Sequence, residues 1–214
     1  MKFLKCYLLK LKRIWPFVLV CVACAIANIL LVQNAVRSEL KLGEALAVLE
    51  QVLPQLGLVL PALLFLEKLD GDGGELLRAL DPGRFSDGRS ILLTVGWFLV
   101  LMLPSYLFVQ SLFPGESIIW LNFVKNALLL LLLVGMLYAL MYLFRSSILA
   151  LVLPAAYYLS HAMGLHFVPD WMNLYTGKSI PTIFELITPM FVCSVLTVLL
   201  FFLGEKEERQ YKYK

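Results

Sequence analysis

The stretch ALLLLLLVGMLYALMYLF, residues 127–144, contains no charged residue. A helix of a soluble protein usually carries an apolar stripe on one face only, whereas this stretch is apolar on every face. With the residues before it, the stretch reaches the roughly 20 residues that cross about 30 Å of hydrocarbon. Its apolar residues do not alternate with polar ones, as they do in the strands of a transmembrane barrel. We therefore predict a membrane-spanning α-helix, which satisfies its own backbone hydrogen bonds.

The composition of the whole chain points to the same class of protein. The 214 residues are 61% hydrophobic and 15% charged, whereas soluble domains have about 45–50% apolar and about 25% charged residues. We predict an all-α integral membrane protein, in which residues 1–214 form a single transmembrane domain. The six predicted spans are residues 14–33, 46–66, 90–113, 118–144, 146–165 and 182–203.

Lysine and arginine are distributed unequally between the two sides of this topology. The N-terminus, the loop 67–89, Arg145 and the C-terminal tail together hold 14 of the 18 basic residues. Loops that are rich in Lys and Arg stay in the cytoplasm, and an even number of spans puts both termini on one side. We therefore predict cytoplasmic termini and a multi-pass protein of the cell membrane, of the bacterial inner-membrane type.

The N-terminus resembles a secretory signal, with a basic region followed by an apolar run. Because that run is about twenty residues long, it exceeds the apolar core of a signal peptide, and we predict an uncleaved first span. Leu, Tyr and Phe alternate with Lys over residues 2–13 at near-helical spacing. This pattern is typical of an amphipathic helix on an anionic membrane surface. A basic flank that only sets topology explains it equally well.

A charged, glycine-rich stretch, EKLDGDGGELLRALDPGRFSDGRS, interrupts the apolar sequence at residues 67–90. It begins like a calcium-binding EF-hand, but loop position five is Gly74 and the glycine expected at position six is Glu75. The sequence TGKSI, residues 176–180, ends like a P-loop, but Met172 stands where the first glycine belongs. We therefore predict no metal site, no catalytic residue and no ATP site in this chain.

Within the charged stretch, residues 76–80 read LLRAL and favour a short helix. Glu75 precedes this helix, where a negative charge suits the helix dipole. Pro82 disfavours helical backbone at Asp81 and so ends it. The apolar side chains of this short helix are Leu76, Leu77 and Leu80.

In this topology and this loop, the chain resembles the permease subunits of type-2 ABC transporters, which mostly act as exporters. Those subunits have an amphipathic N-terminal helix, six spans, cytoplasmic termini, and a loop between spans two and three that contains the coupling helix. The residues that carry the resemblance are Glu67, Gly73, Gly74, Glu75, Leu76, Leu77, Pro82, Arg84 and Arg89. The outer segment 166–181 is too short for the pair of re-entrant half-helices that many members place near there.

The resemblance implies that the short helix docks on a cytoplasmic ATPase. The residues expected at that docking surface are Glu75, Leu76, Leu77, Arg78, Leu80 and Arg84. It also implies two ATPase subunits, which bind ATP and Mg, and a second permease, either identical or related, that completes the channel. The chain then needs no cofactor of its own and no nucleic-acid partner. The implied substrate of such an exporter is a peptide, a drug or a lipid-like molecule.

Three charged residues fall inside the predicted spans, and two of them, Lys125 and Glu185, lie near the outer ends of their spans at roughly similar depth. Polar residues within spans face other helices or a water-filled cavity. Lys125 can pair with Glu185 or with Glu50, and Asn126 adds a polar group next to it. The sequence leaves open whether these residues line a transport pathway, bind an anionic substrate or form a structural ion pair, or whether Lys125 extends its side chain to the membrane surface.

Two other classes of function remain open at this stage. One is a membrane-embedded assembly or immunity protein without a transport cycle. The other is a small lipid-processing enzyme with an Asp-rich, metal-binding helix. The second alternative requires aspartates one or two turns apart, and Asp81 and Asp87 do not fall at the required positions.

Overall fold

The computed structural model describes residues 41–70, 87–162 and 182–212, together with the isolated positions 22, 26, 30 and 174. Within these residues the secondary structure is helical, as predicted. The helices are α1 Leu42–Leu69, α2 Asp87–Leu112, α3 Ile118–Phe144, α4 Ser147–Ala162 and α5 Ile183–Lys212. Among the described residues, four of these helices, all but α4, are long and apolar enough to cross a membrane.

These helices correspond to five of the six predicted spans. The helix α4 has 16 residues, and the end of its predicted span, 163–165, lies outside the described residues. Most of the first predicted span also lies outside them, although Val22, Ile26 and Leu30 are helical. The predicted amphipathic helix at 2–13 and the predicted coupling helix likewise fall on residues that the structure does not describe.

The turns between α2, α3 and α4 are short, so each of these helices runs antiparallel to the one before it. The turn from α2 to α3 contains Gly115 with a φ of 94°, a conformation that glycine adopts at little cost. The turn from α3 to α4 uses Arg145 with a φ of 55°. This very short turn at 145–147 was predicted from the sequence and is confirmed.

Contacts between distant residues show which helix ends lie together. Asp70, after α1, contacts Ser146 and Ser147 at the start of α4. Asp87, at the start of α2, contacts Tyr142 near the end of α3 and Glu208 near the end of α5. We call this end of the bundle, with Asp70, Asp87, Arg145 and Glu208, the aspartate end. The starts of α1, α3 and α5 lie at the opposite end.

The helix α3 is the centre of the bundle, because it packs against each of the other four helices in the described part. Its leucines 129, 130, 133 and 137 are fully buried. The helix α5 packs mainly on α3 and exposes large apolar side chains on its other face, such as Phe184, which is 86% exposed. An exposed face of this kind suits a hydrocarbon environment, in which apolar surface carries no penalty.

Glycines allow two of these helices to approach others closely. A Cβ on Gly57 of α1 would lie 2.7 Å from atoms of Leu130 and Phe98. A Cβ on Gly204 of α5 would collide with the ring of Tyr138 on α3. Small residues of this kind are typical of helix interfaces inside membranes, where close backbone contact supplies the packing energy.

The last helix differs from the sequence-based prediction in its length. The sixth span was predicted to end at residue 203, with a charged tail behind it. The helix α5 instead continues to Lys212, and Glu208 in this extension is buried. The physical reason is tertiary: Tyr138 and the backbone of Asp87 supply hydrogen-bond donors to the Glu208 carboxylate.

Candidate functional site

An ion pair lies inside the bundle between α1 and α3. The Lys125 Nζ atom donates to Glu50 Oε2 at 2.6 Å, and the two side chains are 0% and 2% exposed. Lys125 is the eighth residue of α3 and Glu50 is the ninth of α1. Both therefore lie about 10–12 Å inside their helices, at 1.5 Å of rise per residue. In a helix that crosses a bilayer with a hydrocarbon layer about 30 Å thick, a residue at this distance from the helix end lies within that layer.

The structure thus selects one of the two pairings that the sequence left open. Glu185 does not approach Lys125; it is exposed at the start of α5, where its Oε2 atom accepts a hydrogen bond from the backbone N–H of Thr182 at 2.9 Å. A carboxylate near a helix N-terminus satisfies an otherwise unpaired donor there. The observed contact of Glu185 is therefore a cap on its own helix.

A second set of polar side chains lies beside the ion pair at the same depth. The Tyr106 hydroxyl donates to Asn122 Oδ1 at 2.9 Å, and Asn126 Nδ2 donates to the Tyr106 oxygen at 2.6 Å and to Asn122 Oδ1 at 3.1 Å. Asn122, Lys125 and Asn126 share one face of α3, because residues three and four apart lie together on a helix. This network joins α2 to α3 just as the ion pair joins α1 to α3.

Two polar atoms in this region have no hydrogen-bond partner among the described residues. They are Ser105 Oγ and Asn126 Oδ1, and both residues are fully buried. A buried polar group without a partner costs about 1–3 kcal/mol. We call the set of Glu50, Ser105, Tyr106, Asn122, Lys125 and Asn126 the polar layer.

Prolines lie inside the helices around the polar layer. Pro54 has no N–H, so it cannot donate to the Glu50 carbonyl one turn earlier in α1. The Tyr158 hydroxyl of α4 donates to the neighbouring carbonyl of Gln51. In α2, Pro104 directly precedes Ser105 and Tyr106. Irregular backbone at membrane depth is tolerated where neighbouring helices satisfy the freed groups.

The polar layer contains only a few kinds of chemical group. It provides one cation, one carboxylate, two amides and two hydroxyls, which suit electrostatic and hydrogen-bonding contacts. Within the described part of the chain, no three His, Cys, Asp or Glu side chains gather closely enough to hold a metal ion. The layer is therefore suited to pairing, exchanging or separating charges inside the bundle.

A second set of polar contacts lies at the aspartate end, and it begins with Asp70. The Asp70 carboxylate accepts hydrogen bonds from the hydroxyls of Ser146 and Ser147 and, at 2.8 Å, from the Ser147 backbone N–H. Partial burial raises the pKa of Asp70, but the hydrogen bonds from Ser146 and Ser147 together outweigh it and hold the pKa below its usual value. Asp70 therefore caps α4 across the bundle.

Asp87 and Glu208 form the other half of this end. The Glu208 Oε1 atom accepts a hydrogen bond from the Asp87 backbone N–H at 2.9 Å, and the Tyr138 hydroxyl donates to Glu208 Oε2. The Tyr142 hydroxyl donates to the Asp87 carboxylate. Asp87 is 2% exposed and Glu208 is 3% exposed. We call these four residues the carboxylate–tyrosine cluster.

Sequence reasoning did not identify this cluster. The tail sequence GEKEERQ, residues 204–210, reads as a solvated flank because it is dense in charge. A signal was nevertheless present, since Gly204 and Glu208 are four residues apart and lie on one face of a helix. That face packs on Tyr138.

The sequence-predicted sites divide into two groups. The structure brings Lys125, Glu50 and Asn126 into the polar layer and leaves Glu185 outside it. The predicted docking residues are Glu75, Leu76, Leu77, Arg78, Leu80 and Arg84, and all of them lie outside the described residues.

Comparison of the chain with protein-family models, curated proteins and solved structures gives no match. The fold and the polar layer define a class: an all-helical protein, in the part described, with helices suited to a membrane and an ion pair between them.

Proposed function

We propose that this chain is the permease subunit of an ABC transporter of the exporting type, with six spans and both termini in the cytoplasm. The observation that carries the proposal is the buried Glu50–Lys125 pair in helices of membrane-spanning length. Charged residues inside membrane spans are costly, and they typically mark substrate or ion pathways. The surrounding hydrogen-bond network and the prolines nearby suit helices that rearrange during transport.

The placement of the charged stretch supports its role in coupling. Asp70 directly precedes the stretch 71–86 and caps α4, and Asp87 directly follows it and contacts Tyr142. A force that acts on the stretch from a partner would therefore reach both sides of the bundle. Leucines suit an apolar groove on a partner, and charges at the rim set the register.

The rest of the proposal follows from the resemblance in the sequence. Two separate ATPase subunits bind ATP and Mg on the cytoplasmic side of the cell membrane. A second permease, identical or related, completes the channel, which exports a peptide, a drug or a lipid-like molecule. The aspartate end then faces the cytoplasm, and the polar layer lies in the outer half of the membrane.

The test is co-expression of the affinity-tagged chain with candidate ABC ATPase subunits, followed by purification and measurement of ATP hydrolysis in lipid. We expect the wild-type chain to retain the ATPase. Burial of one leucine is worth about 1.5–3 kcal/mol, so Leu77→Asp should weaken the assembly at least about tenfold.

The matched control is Ser86→Asp, which adds the same charge to the same stretch without removing a leucine. We expect this control to retain the ATPase at a level close to wild type. If both variants lose the ATPase to the same extent, the added charge, and not the leucine face, explains the loss of docking. Failure of the wild-type chain to bind any ATPase would contradict the proposed function and favour an assembly or immunity protein.

A further inference from the structure

The start of α2 and the end of α5 are joined by a single well-defined contact region. These two helices otherwise touch each other little, since both pack mainly on other helices of the bundle. Their junction includes the hydrogen bond from the Asp87 N–H to Glu208 Oε1 at 2.9 Å. The first N–H groups of a helix have no partner within the helix, so Glu208 caps α2 from a distant part of the chain.

The geometry of α5 at this junction depends on α3. Tyr138 packs its ring over Gly204 and donates its hydroxyl to Glu208 one turn later. Tyr142, one turn further along α3, donates to the Asp87 side chain. The rings of Tyr138 and Tyr142 contact each other edge to face with centroids 5.8 Å apart. One face of α3 therefore holds both carboxylates.

The junction lies at the point where α2 begins, directly after residues 71–86. Asp87 is the first residue of α2, and residues 71–86 of the charged stretch come directly before it. A displacement at this point can be absorbed by α2 alone, or it can be passed to α3 and α5 through the junction. A carboxylate that accepts a backbone N–H makes a charge-assisted hydrogen bond, which is stronger than a neutral one.

We propose that Glu208 is a positioning residue that ties the start of α2 to α3 and to the end of α5, so that a displacement caused by an ATPase at this end of the bundle changes the distance between α2 and α5 at the opposite end. The inference rests on the proposed function and assigns a role to the C-terminal extension of α5. Glu208 acts through the backbone of Asp87 and does not itself contact the ATPase.

The experiment uses the full chain in complex with its ATPase subunits, reconstituted in lipid. Spin labels at Leu112 and Ile183, both exposed near the opposite end, report the distance between α2 and α5. The distance is measured without nucleotide and with ATP trapped by vanadate. Retention of the ATPase is measured in the same preparations.

Three substitutions separate the proposed role from general loss of structure. Glu208→Ala removes the acceptor for both donors. Glu208→Gln keeps an oxygen for the Asp87 N–H, and its amide can donate to the Tyr138 oxygen. Glu207→Ala removes the same charge from the neighbouring position and is the matched control. Gel filtration verifies that each variant is folded.

The expected result is an ATP-dependent change in distance for wild type, Glu208→Gln and Glu207→Ala. Glu208→Ala should retain the ATPase within about twofold yet lose most of the distance change, because hydrogen bonds to a charged group are worth about tenfold or more in an equilibrium. If Glu208→Ala does not fold, Tyr138→Phe is tested instead. We expect it to reduce the ATP-dependent distance change as well, but by less.

Two results would overturn the inference while the proposed function stands. One is a full distance change in Glu208→Ala. The other is a loss of ATPase binding equal to the loss of the distance change, which indicates a purely structural role. If the wild-type chain binds no ATPase, the proposed function fails, and the coupling role of Glu208 falls with it.

Discussion

The polar layer and the aspartate end stabilise buried carboxylates in different ways. In the polar layer, Glu50 contacts the opposite charge of Lys125 directly, with both side chains almost completely buried. At the aspartate end, Asp87 and Glu208 accept hydrogen bonds from tyrosine hydroxyls and a backbone N–H. A charge that loses its opposite charge inside a membrane is left uncompensated, whereas loss of a neutral donor leaves the carboxylate with other donors or water.

This difference predicts how each region responds to change. The polar layer should tolerate paired changes and resist single ones, because its two charges depend on each other. The aspartate end should respond in smaller, separate steps. Four predictions test or refine this comparison, and they follow in order of expected effect.

The largest effect is expected from breaking the ion pair. Lys125→Met should lower the free energy of unfolding by about 3–5 kcal/mol, because the buried Glu50 carboxylate loses the opposite charge of Lys125. The double variant Lys125→Met with Glu50→Leu should return to within about 1–2 kcal/mol of wild type, since apolar replacements of a buried pair are often neutral. The measurement is equilibrium unfolding in detergent micelles as a double-mutant cycle.

The matched change at the aspartate end is Glu208→Gln. It keeps an acceptor for the Asp87 N–H, so the expected loss is below about 1.5 kcal/mol. Additive effects of the two substitutions in the ion pair would show that Glu50 and Lys125 do not depend on each other. A loss for Glu208→Gln as large as that for Lys125→Met would remove the contrast between the two regions.

The second effect concerns packing at the aspartate end. Gly204→Ala should destabilise the protein by about 1–3 kcal/mol, because the added Cβ collides with the Tyr138 ring and over-packing carries this penalty. The ring cannot simply retreat, since its hydroxyl is bonded to Glu208. Unfolding by heat or denaturant measures the change.

Gly96→Ala is the control for this substitution. Gly96 also lies within a helix, but nothing lies within 4 Å of an added Cβ there. Alanine is the better helix former by up to about 1 kcal/mol, so this variant should be neutral or more stable. If both variants change stability equally, the effect of Gly204→Ala is explained by helix propensity and not by the contact with Tyr138.

The third effect concerns the amides of the polar layer. Tyr106→Phe removes the hydroxyl that joins Asn122 and Asn126 but keeps the ring, which packs edge to face on Phe123. We expect a loss of about 1–2 kcal/mol in the free energy of unfolding, because each buried amide loses one hydrogen bond while the bond between Asn126 and Asn122 remains. Ser111→Ala, which removes an exposed hydroxyl of the same helix, should stay within about 0.5 kcal/mol of wild type. If Tyr106→Phe loses no more stability than Ser111→Ala does, water replaces the Tyr106 hydroxyl.

The smallest effect concerns pH at Asp70. Because the pKa of Asp70 is lowered in the folded state, its carboxylate stabilises the fold above the unfolded pKa, about 3.9 for Asp. This contribution is lost as the pH falls through the lower, folded pKa. Asp70→Asn should therefore have a lower melting temperature than wild type at pH 7, and the difference in melting temperature should shrink below about pH 4. A difference in melting temperature that stays constant from pH 7 to pH 3 contradicts the assignment.

The sequence by itself determined where the described helices lie. Length and continuous hydrophobicity predicted the helices around 46–66, 90–113, 118–144 and 182–203, because a chain in hydrocarbon must satisfy its backbone hydrogen bonds internally. The short turn at Arg145 followed from the same pattern, since only three residues separate two apolar runs. The sequence also identified Lys125 as a charge inside a predicted span, which is a local property.

Only the tertiary structure decided which partner each charge meets. The sequence offers both Glu50 and Glu185 as partners of Lys125, and choosing between them requires the position, the rotation and the neighbours of each helix, which sequence spacing does not contain. The burial of Glu208 was missed for the same reason. Its neighbours in sequence are charged and predict solvent, whereas Gly204, Tyr138 and the first N–H of α2 create its site only after α3 and α5 have packed.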